Sequence, residues 1–193
     1  MPTRESGKLY KMDEHILASV SGVVADANFL IDYGRLQCQR HLYSHKEPFY
    51  VEELVKYLCN HKHVYTQFGS SRPFGVSLMY AGWDTVRGFQ LYCSDPSGNY
   101  GSWKAHATGK GSVNAISTLK SDYAQESTLR EALVLAAKVL GKSMDTTTPD
   151  PNKFEVATIS RDPETGAVVQ RRVEGEELAK ILEEAKVFEG NKK

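Results

Sequence analysis

The chain has 193 residues, and its 24 lysines and arginines balance 24 aspartates and glutamates, so no net field draws it to nucleic acid or an anionic membrane. This length, with 40% hydrophobic residues, suits a single domain with a real core over 8–188, between a polar lead-in (1–7) and a short polar tail (189–193). No apolar run approaches the ~20 residues of a membrane span, the start MPTRESGKLY lacks a secretory segment, and the separated Cys38, Cys59 and Cys93 point to a reducing, intracellular setting.

In chain order, KLYKM (8–12) and HILASVSG (15–22) read as strands, with Ile16, Ala18 and Val20 on one face at the two-residue period. From 24 to 42 the period turns helical. Ala27, Leu30, Ile31, Gly34, Cys38 and Leu42 form one stripe, and Asp26 sits in the favourable first turn. Glu47-Pro48 interrupts. A second helix then carries Val51, Leu54, Val55, Leu58 and Tyr65 on one side, with Glu52 and Glu53 near its positive end.

The stretch YTQFGSSRPFGVSLMYAGWD (65–84) is a glycine-marked loop feeding a strand at 75–83. Further strands follow at 87–93 and 100–107, joined by the turn SDPSG (94–98). Ser112 is placed to cap a helix carrying Val113, Ile116, Leu119 and Tyr123. Thr128 and Glu131 make a capping box for another helix, with Leu129, Ala132, Leu133, Ala136 and Leu140 inward and Gly141 as its stop. Strands at 154–160 and 167–173 form a hairpin across DPETG, and a last amphipathic helix carries Leu178, Ile181, Leu182 and Ala185. Helices arriving in consecutive pairs between strand pairs suit antiparallel sheets with a helix pair on each outer face. The expected class is α+β, a four-layer α/β/β/α sandwich.

The search for chemistry finds little. TGKGS (108–112) resembles a phosphate loop but fails the G-x-x-x-x-G-K-[ST] pattern twice: Lys104 stands at the first glycine position and Gly111 where the hydroxyl belongs. His41 and His45, and His61 and His63, lack the further ligands of a zinc site and read as solvated helix-end side chains. No G-x-S-x-G elbow is present. Thr3 is the candidate for a terminal threonine nucleophile, but it sits in a polar lead-in rather than at the head of a strand. The carboxylates belong to a turn (Asp95), a cap (Glu131) and a solvated face (Glu174, Glu176, Glu177, Glu183, Glu184). No catalytic residue, metal site or cofactor is expected, which leaves protein contact.

SGVVADAN (21–28), YTQFGSSRPFGVSL (65–78), SDPSGNYGSWKA (94–105) and the EAL…AAKVL run (131–140) occur in order and at the right spacing. On these strings the sequence resembles the α subunits of the proteasome core particle, in particular the eukaryotic type-4 branch, from about 8 to 159. The resemblance implies the N-terminal-nucleophile hydrolase fold and a noncatalytic role in a seven-membered ring that caps the proteolytic β ring. The implied partners are neighbouring α subunits, β-ring subunits, and the regulatory particle or other activators, in the cytoplasm and nucleus, with no nucleic acid or membrane.

The helix at 24–43 would lie toward the β ring, its small Ala27 and Gly34 permitting close approach. The helices at 112–123 and 128–141 would face outward, and Arg72 would reach backbone or carboxylate partners. Activator tails enter pockets between α subunits in this family. Lys8 matches the lysine that takes the tail carboxylate, and Gly22 matches the pocket-wall glycine. Lys8 also reads as a plain exposed charge beginning a strand. Residues 1–7 do not match the family's N-terminal portion, so its gating tail, first helix and first two strands have no counterpart, and the ending VFEGNKK is short. Two alternatives stand beside this reading: a processed threonine peptidase resembling a β subunit, and a free-standing domain with a nucleotide at TGKGS.

Overall fold

The computed structural model describes residues 7–69, 71–143 and 153–185, so Thr3 and the tail at 189–193 lie outside the described residues. The chain forms two compact units. The first comprises the described residues up to Lys104 with Thr158–Arg171, and the second comprises those of Ala105–Ala157 and from Arg172 onward.

In the first unit, strands β1 (Leu9–Asp13), β2 (Ile16–Gly22), β3 (Val76–Asp84), β4 (Gly88–Ser94) and β5 (Tyr100–Ser102) form one antiparallel sheet in that order. Strand β3 shows why. Its residues VSLMYAGWD alternate strictly, and Val76, Leu78 and Tyr80 are fully buried. The register sets Tyr80 opposite Ala18 on one side and Tyr92 on the other. Helices α1 (Val24–His45) and α2 (Val51–Gln67) cover this face. Ala27, Leu30, Ile31 and Cys38 from α1 join Val51, Leu54, Val55 and Leu58 from α2 and the inward side chains of β1–β4 in a single core. Gly34 serves this core as well: a Cβ there would fall 2.2 Å from the Met12 methyl and 3.3 Å from Leu58. Ala27 and Gly34 therefore let the chain's own sheet and second helix approach, where the resemblance had them admitting a partner. Leu42, expected on the same stripe, is 40% exposed.

Helix α2 has no side-chain cap of its own at Tyr50. Asp84, at the end of β3, supplies one. Its Oδ2 accepts the Val51 N–H at 3.2 Å and Gln90 Nε2 at 2.6 Å, while Oδ1 accepts the Val86 and Arg87 N–H groups of the β3–β4 turn at 3.0 and 2.8 Å. The 94–98 turn is keyed into the same helix, since a Cβ at Gly98 would stand 2.5 Å from the Cys59 carbonyl. Strand β5 stops at Ser102, short of the expected 107.

The second unit holds helices α3 (Ser112–Asp122), α4 (Leu129–Ser143) and α5 (Gly175–Glu184), with the ends of a hairpin formed by β6 (Val156–Arg161) and β7 (Val168–Val173). Its core gathers Ala137, Phe154, Val173, Leu178, Ile181, Leu182 and Ala185, with Leu133 and Val134 against them. The hairpin turns at 162–166, as expected, with Gly166 at φ 69°. The Thr128 capping box is present: Thr128 N–H and Oγ1–H donate to Glu131 Oε2 at 2.7 and 2.8 Å, and Glu131 N–H donates back at 3.3 Å.

Three expectations need correction here. Gly111, left-handed at φ 76°, occupies the N-cap of α3, and Ser112 is already helical. Gly141 does not stop α4, which runs on to Ser143; one helical glycine costs only about 1 kcal/mol. The inward face of α4 is Leu133, Val134 and Ala137, while Leu129 and Leu140 are exposed. The apolar side of LREALVLAAKVL is broader than the face that α5 and Phe154 cover, so the spacing marks the side but not the edge that is buried.

Candidate functional site

The residues matched to a tail pocket sit at one end of the β1–β2 ladder. Lys8 is exposed just before β1, and its carbonyl accepts the Val20 N–H at 3.0 Å. Gly22 closes β2 two residues further on, at φ 124°, a conformation that L side chains rarely adopt. A Cβ there would also stand 2.3 Å from the Gly75 carbonyl oxygen. Glycine is thus required at 22 by the chain's own packing.

Gly75 belongs to the loop leading into β3, and this loop is fastened to the start of α1. The Gly75 carbonyl accepts the Val23 N–H at 2.9 Å, and its N–H donates to Asp26 Oδ2 at 2.9 Å. Arg72 grips the same carboxylate with both terminal nitrogens, Nη1 to Oδ2 at 2.7 Å and Nη2 to Oδ1 at 2.8 Å. The Asp26 carboxyl is held down at about 2, chiefly by this guanidinium and then by the Gly75 N–H, against the opposing effect of burial. Arg72 was expected to reach for partners; its fork is spent inside its own chain. A cavity of about 260 Å³ opens beside the pair, lined by Asp26, Tyr65, Ser71, Arg72 and Phe74.

Lys62 was missed in the sequence. Its side chain is fully buried, and Nζ donates to the Val76 carbonyl at 3.1 Å, Ser94 Oγ at 3.0 Å and the Asp95 carbonyl at 3.0 Å. Burial pushes its ammonium down to about 8. Lys62 follows Leu54 and Leu58 at four-residue spacing, so its place on the apolar stripe was the available signal.

The other candidates resolve into local structure. TGKGS is a turn into α3, with Ser112 N–H bonded to the Gly109 carbonyl at 3.2 Å and Gly111 lying over Ser143. His45 and His63 are exposed as expected, while His41 and His61 depart from the solvated reading. His61 stacks on Tyr33 at 4.4 Å among Phe29, Tyr65 and Phe74, and burial lowers its basicity. His41 lies against His45 at 4.2 Å and Phe49 at 4.3 Å. His63 Nδ1 reaches the Ser97 carbonyl at 3.4 Å. Asp95 serves its turn as expected, Oδ1 accepting the N–H groups of Ser97 and Asn99 at 2.8 and 3.2 Å. Among the described residues, no helix is long and apolar enough to cross a membrane.

On the outer side of α1, Phe29, Leu36 and Tyr43 recur at seven-residue spacing and are exposed among polar residues, Tyr43 at 79%. Phe29 and Tyr33 stack there at 6.3 Å, and Tyr33 continues to Tyr57 at 5.8 Å.

The profile of the proteasome subunit family matches residues 2–159. Proteasome subunit alpha type-4-1 of Oryza sativa subsp. indica is 48% identical over 183 residues, which is 95% of this chain and 73% of that relative. Proteasome subunit alpha type-4-A of Arabidopsis thaliana is 51% identical over 156 residues, or 81% of this chain and 62% of the relative. Proteasome subunit alpha type-4 of Spinacia oleracea is 48% identical over 178 residues, covering 92% and 71%. With a profile spanning most of the chain and relatives near half identity along nearly all of it, the chain belongs to the proteasome subunit family.

Proposed function

We propose that the chain is a noncatalytic structural subunit of the α ring of the proteasome core particle, acting in ATP- and ubiquitin-dependent protein degradation. The observation that carries this is the identity of about half, over 183 residues, to subunits named alpha type-4. The α+β architecture with antiparallel sheets is in keeping with the N-terminal-nucleophile hydrolase fold, and the chain assembles with other proteasome subunits. The relatives named above are alpha type-4 subunits and lend the peptidase alternative no support.

Within that role, the exposed apolar side of α1 is the face we assign to a neighbouring ring, since apolar surface rimmed by polar residues is best used in contact. Cytoplasm and nucleus are the compartments proposed for it. Lys8 and Gly22 are proposed to receive the C-terminal tail of an activator. Lysine offers a compact charge to the terminal carboxylate, and Gly22, packed on Gly75, is proposed as the backbone wall beside it.

Reconstitution of a core particle with this chain at the type-4 position, read by native mass spectrometry, tests the ring assignment. Incorporation into a high-mass ring is expected, and a stable monomer left out of every ring overturns it. Lys8→Ala and Lys8→Glu particles should lose activator binding and stimulated peptide hydrolysis. Unchanged stimulation removes Lys8 from the site.

A further inference from the structure

Gly22 can wall a tail only if the backbone behind it stays in place. That backbone is Gly75, whose carbonyl would lie 2.3 Å from a Cβ at position 22, and the next residue, Val76, pairs with Gly22 across the β2–β3 ladder. Both sides of this segment are gripped. Val23 N–H holds the Gly75 carbonyl at 2.9 Å, Asp26 Oδ2 holds its N–H at 2.9 Å, and Lys62 Nζ holds the Val76 carbonyl at 3.1 Å.

Asp26 could not do this alone. A carboxylate accepting one backbone N–H still has freedom about its side-chain torsions, whereas one clasped by a planar fork has its plane set. Arg72 supplies that fork, Nη1 at 2.7 Å and Nη2 at 2.8 Å, from a side chain that is otherwise 70% exposed. An exposed single-point ion pair contributes little to stability. The two-point geometry fixes direction, and the direction it fixes is that of the Gly75 N–H.

Resting on the tail-docking reading, we infer that Asp26 and Arg72 are positioning residues for that site: the fork orients Asp26, Asp26 holds Gly75, and Gly75 sets the depth of the Gly22 turn along which a tail backbone lies. Lys8 and the clamp then do separable work. Lys8 distinguishes a charged terminus from a neutral one, and the clamp governs how closely any tail backbone approaches, whatever its terminus.

The separation gives the test. Reconstituted particles carrying the wild-type chain, Lys8→Ala, Arg72→Gln, Arg72→Lys, Asp26→Asn or the double variant Asp26→Asn/Arg72→Gln are titrated with a fluorescein-labelled peptide. The peptide copies the last ten residues of a proteasome activator subunit and is used as the free acid and as the C-terminal amide. Lys8→Ala should collapse the preference for acid over amide. Arg72→Gln should weaken both peptides about tenfold and leave that preference intact. Asp26→Asn should do the same, with the double variant no worse than either single one, because one unit is being removed. Arg72→Lys, which keeps the charge and loses the fork, should fall between and serves where Arg72→Gln does not assemble. If Lys8→Ala collapses the preference while the Arg72 and Asp26 variants bind like wild type, even with lowered melting temperatures, the clamp is structural only and the inference fails while the tail reading stands. If Lys8→Ala leaves the preference untouched, the tail reading itself fails and the positioning role with it.

Discussion

Replacing Lys62 by methionine isolates the energetics of one buried ammonium. Lys62 is fully buried and bonds the Val76 and Asp95 carbonyls and Ser94 Oγ, so methionine keeps the stem and removes the donor. Ser94 Oγ keeps a partner in Tyr80 OH at 3.3 Å. The Asp95 carbonyl likewise keeps the Gly98 N–H at 3.2 Å, so the loss falls on the Val76 carbonyl, at about 2 kcal/mol when the lysine is neutral. At neutral pH the wild type also bears the burial of its charge. A depression from 10.5 to about 8, at about 1.4 kcal/mol per pH unit, makes that about 3 kcal/mol.

The sign follows from proton binding. Between about 8 and 10.5 the unfolded chain binds the Lys62 proton and the folded chain does not, so stability rises with pH across that window and is lost as pH falls through the lower value. Lys62→Met should therefore be about 1 kcal/mol more stable than wild type near neutral pH and about 2 kcal/mol less stable above 10.5. Urea unfolding followed by Trp83 and Trp103 fluorescence, at several pH values across the window, measures the gap. A gap that stays constant with pH would refute the reasoning.

Three further outcomes are expected. Gly22→Ala combines a left-handed backbone with a 2.3 Å overlap on Gly75 and should cost about 2 kcal/mol or more, seen as an early thermal transition. Thr128→Ala removes the capping box and should cost about 1 kcal/mol, a fall of about 2–4 °C in Tm by calorimetry. Asp26→Asn should be less stable than wild type at neutral pH. Because Asp26 is held near 2 in the folded chain against 3.8 ordinarily, the difference should be full above 3.8 and vanish as pH falls through about 2, which acid unfolding curves of the pair would show.

Periodicity and turn residues together located most of the sheet and its two covering helices. α1 and α2 bury the stripes their spacing marked, apart from exposed Leu42 and half-buried Tyr65, and β3 alternates between buried and half-buried positions. In α4 the spacing marked an apolar side, but which edge of it is buried is decided by α5 and Phe154, which periodicity within α4 cannot register. The candidate site was less legible. Asp26 and Arg72 are 46 positions apart, and they were read separately, one as a first-turn acid and the other as a cation reaching for a partner outside the chain. His61 resembled a helix-end histidine until folding brought Tyr33 and Phe74 around it. Lys62 was visible in principle, but a charge on an apolar stripe is ordinarily set aside as the stripe's edge.

Asp84 has a consequence for the order in which this chain folds. The second helix takes its first-turn acceptor from a residue 33 positions downstream, and that residue is simultaneously committed to the turn between the third and fourth strands. A nascent chain that has emerged only through Gln67 lacks the acceptor, and a peptide of residues 48–69 should be largely unwound in water. Helix and hairpin thus close as a single late event, in which a local segment waits on distant chain, so the first half of this subunit gains its stability all at once.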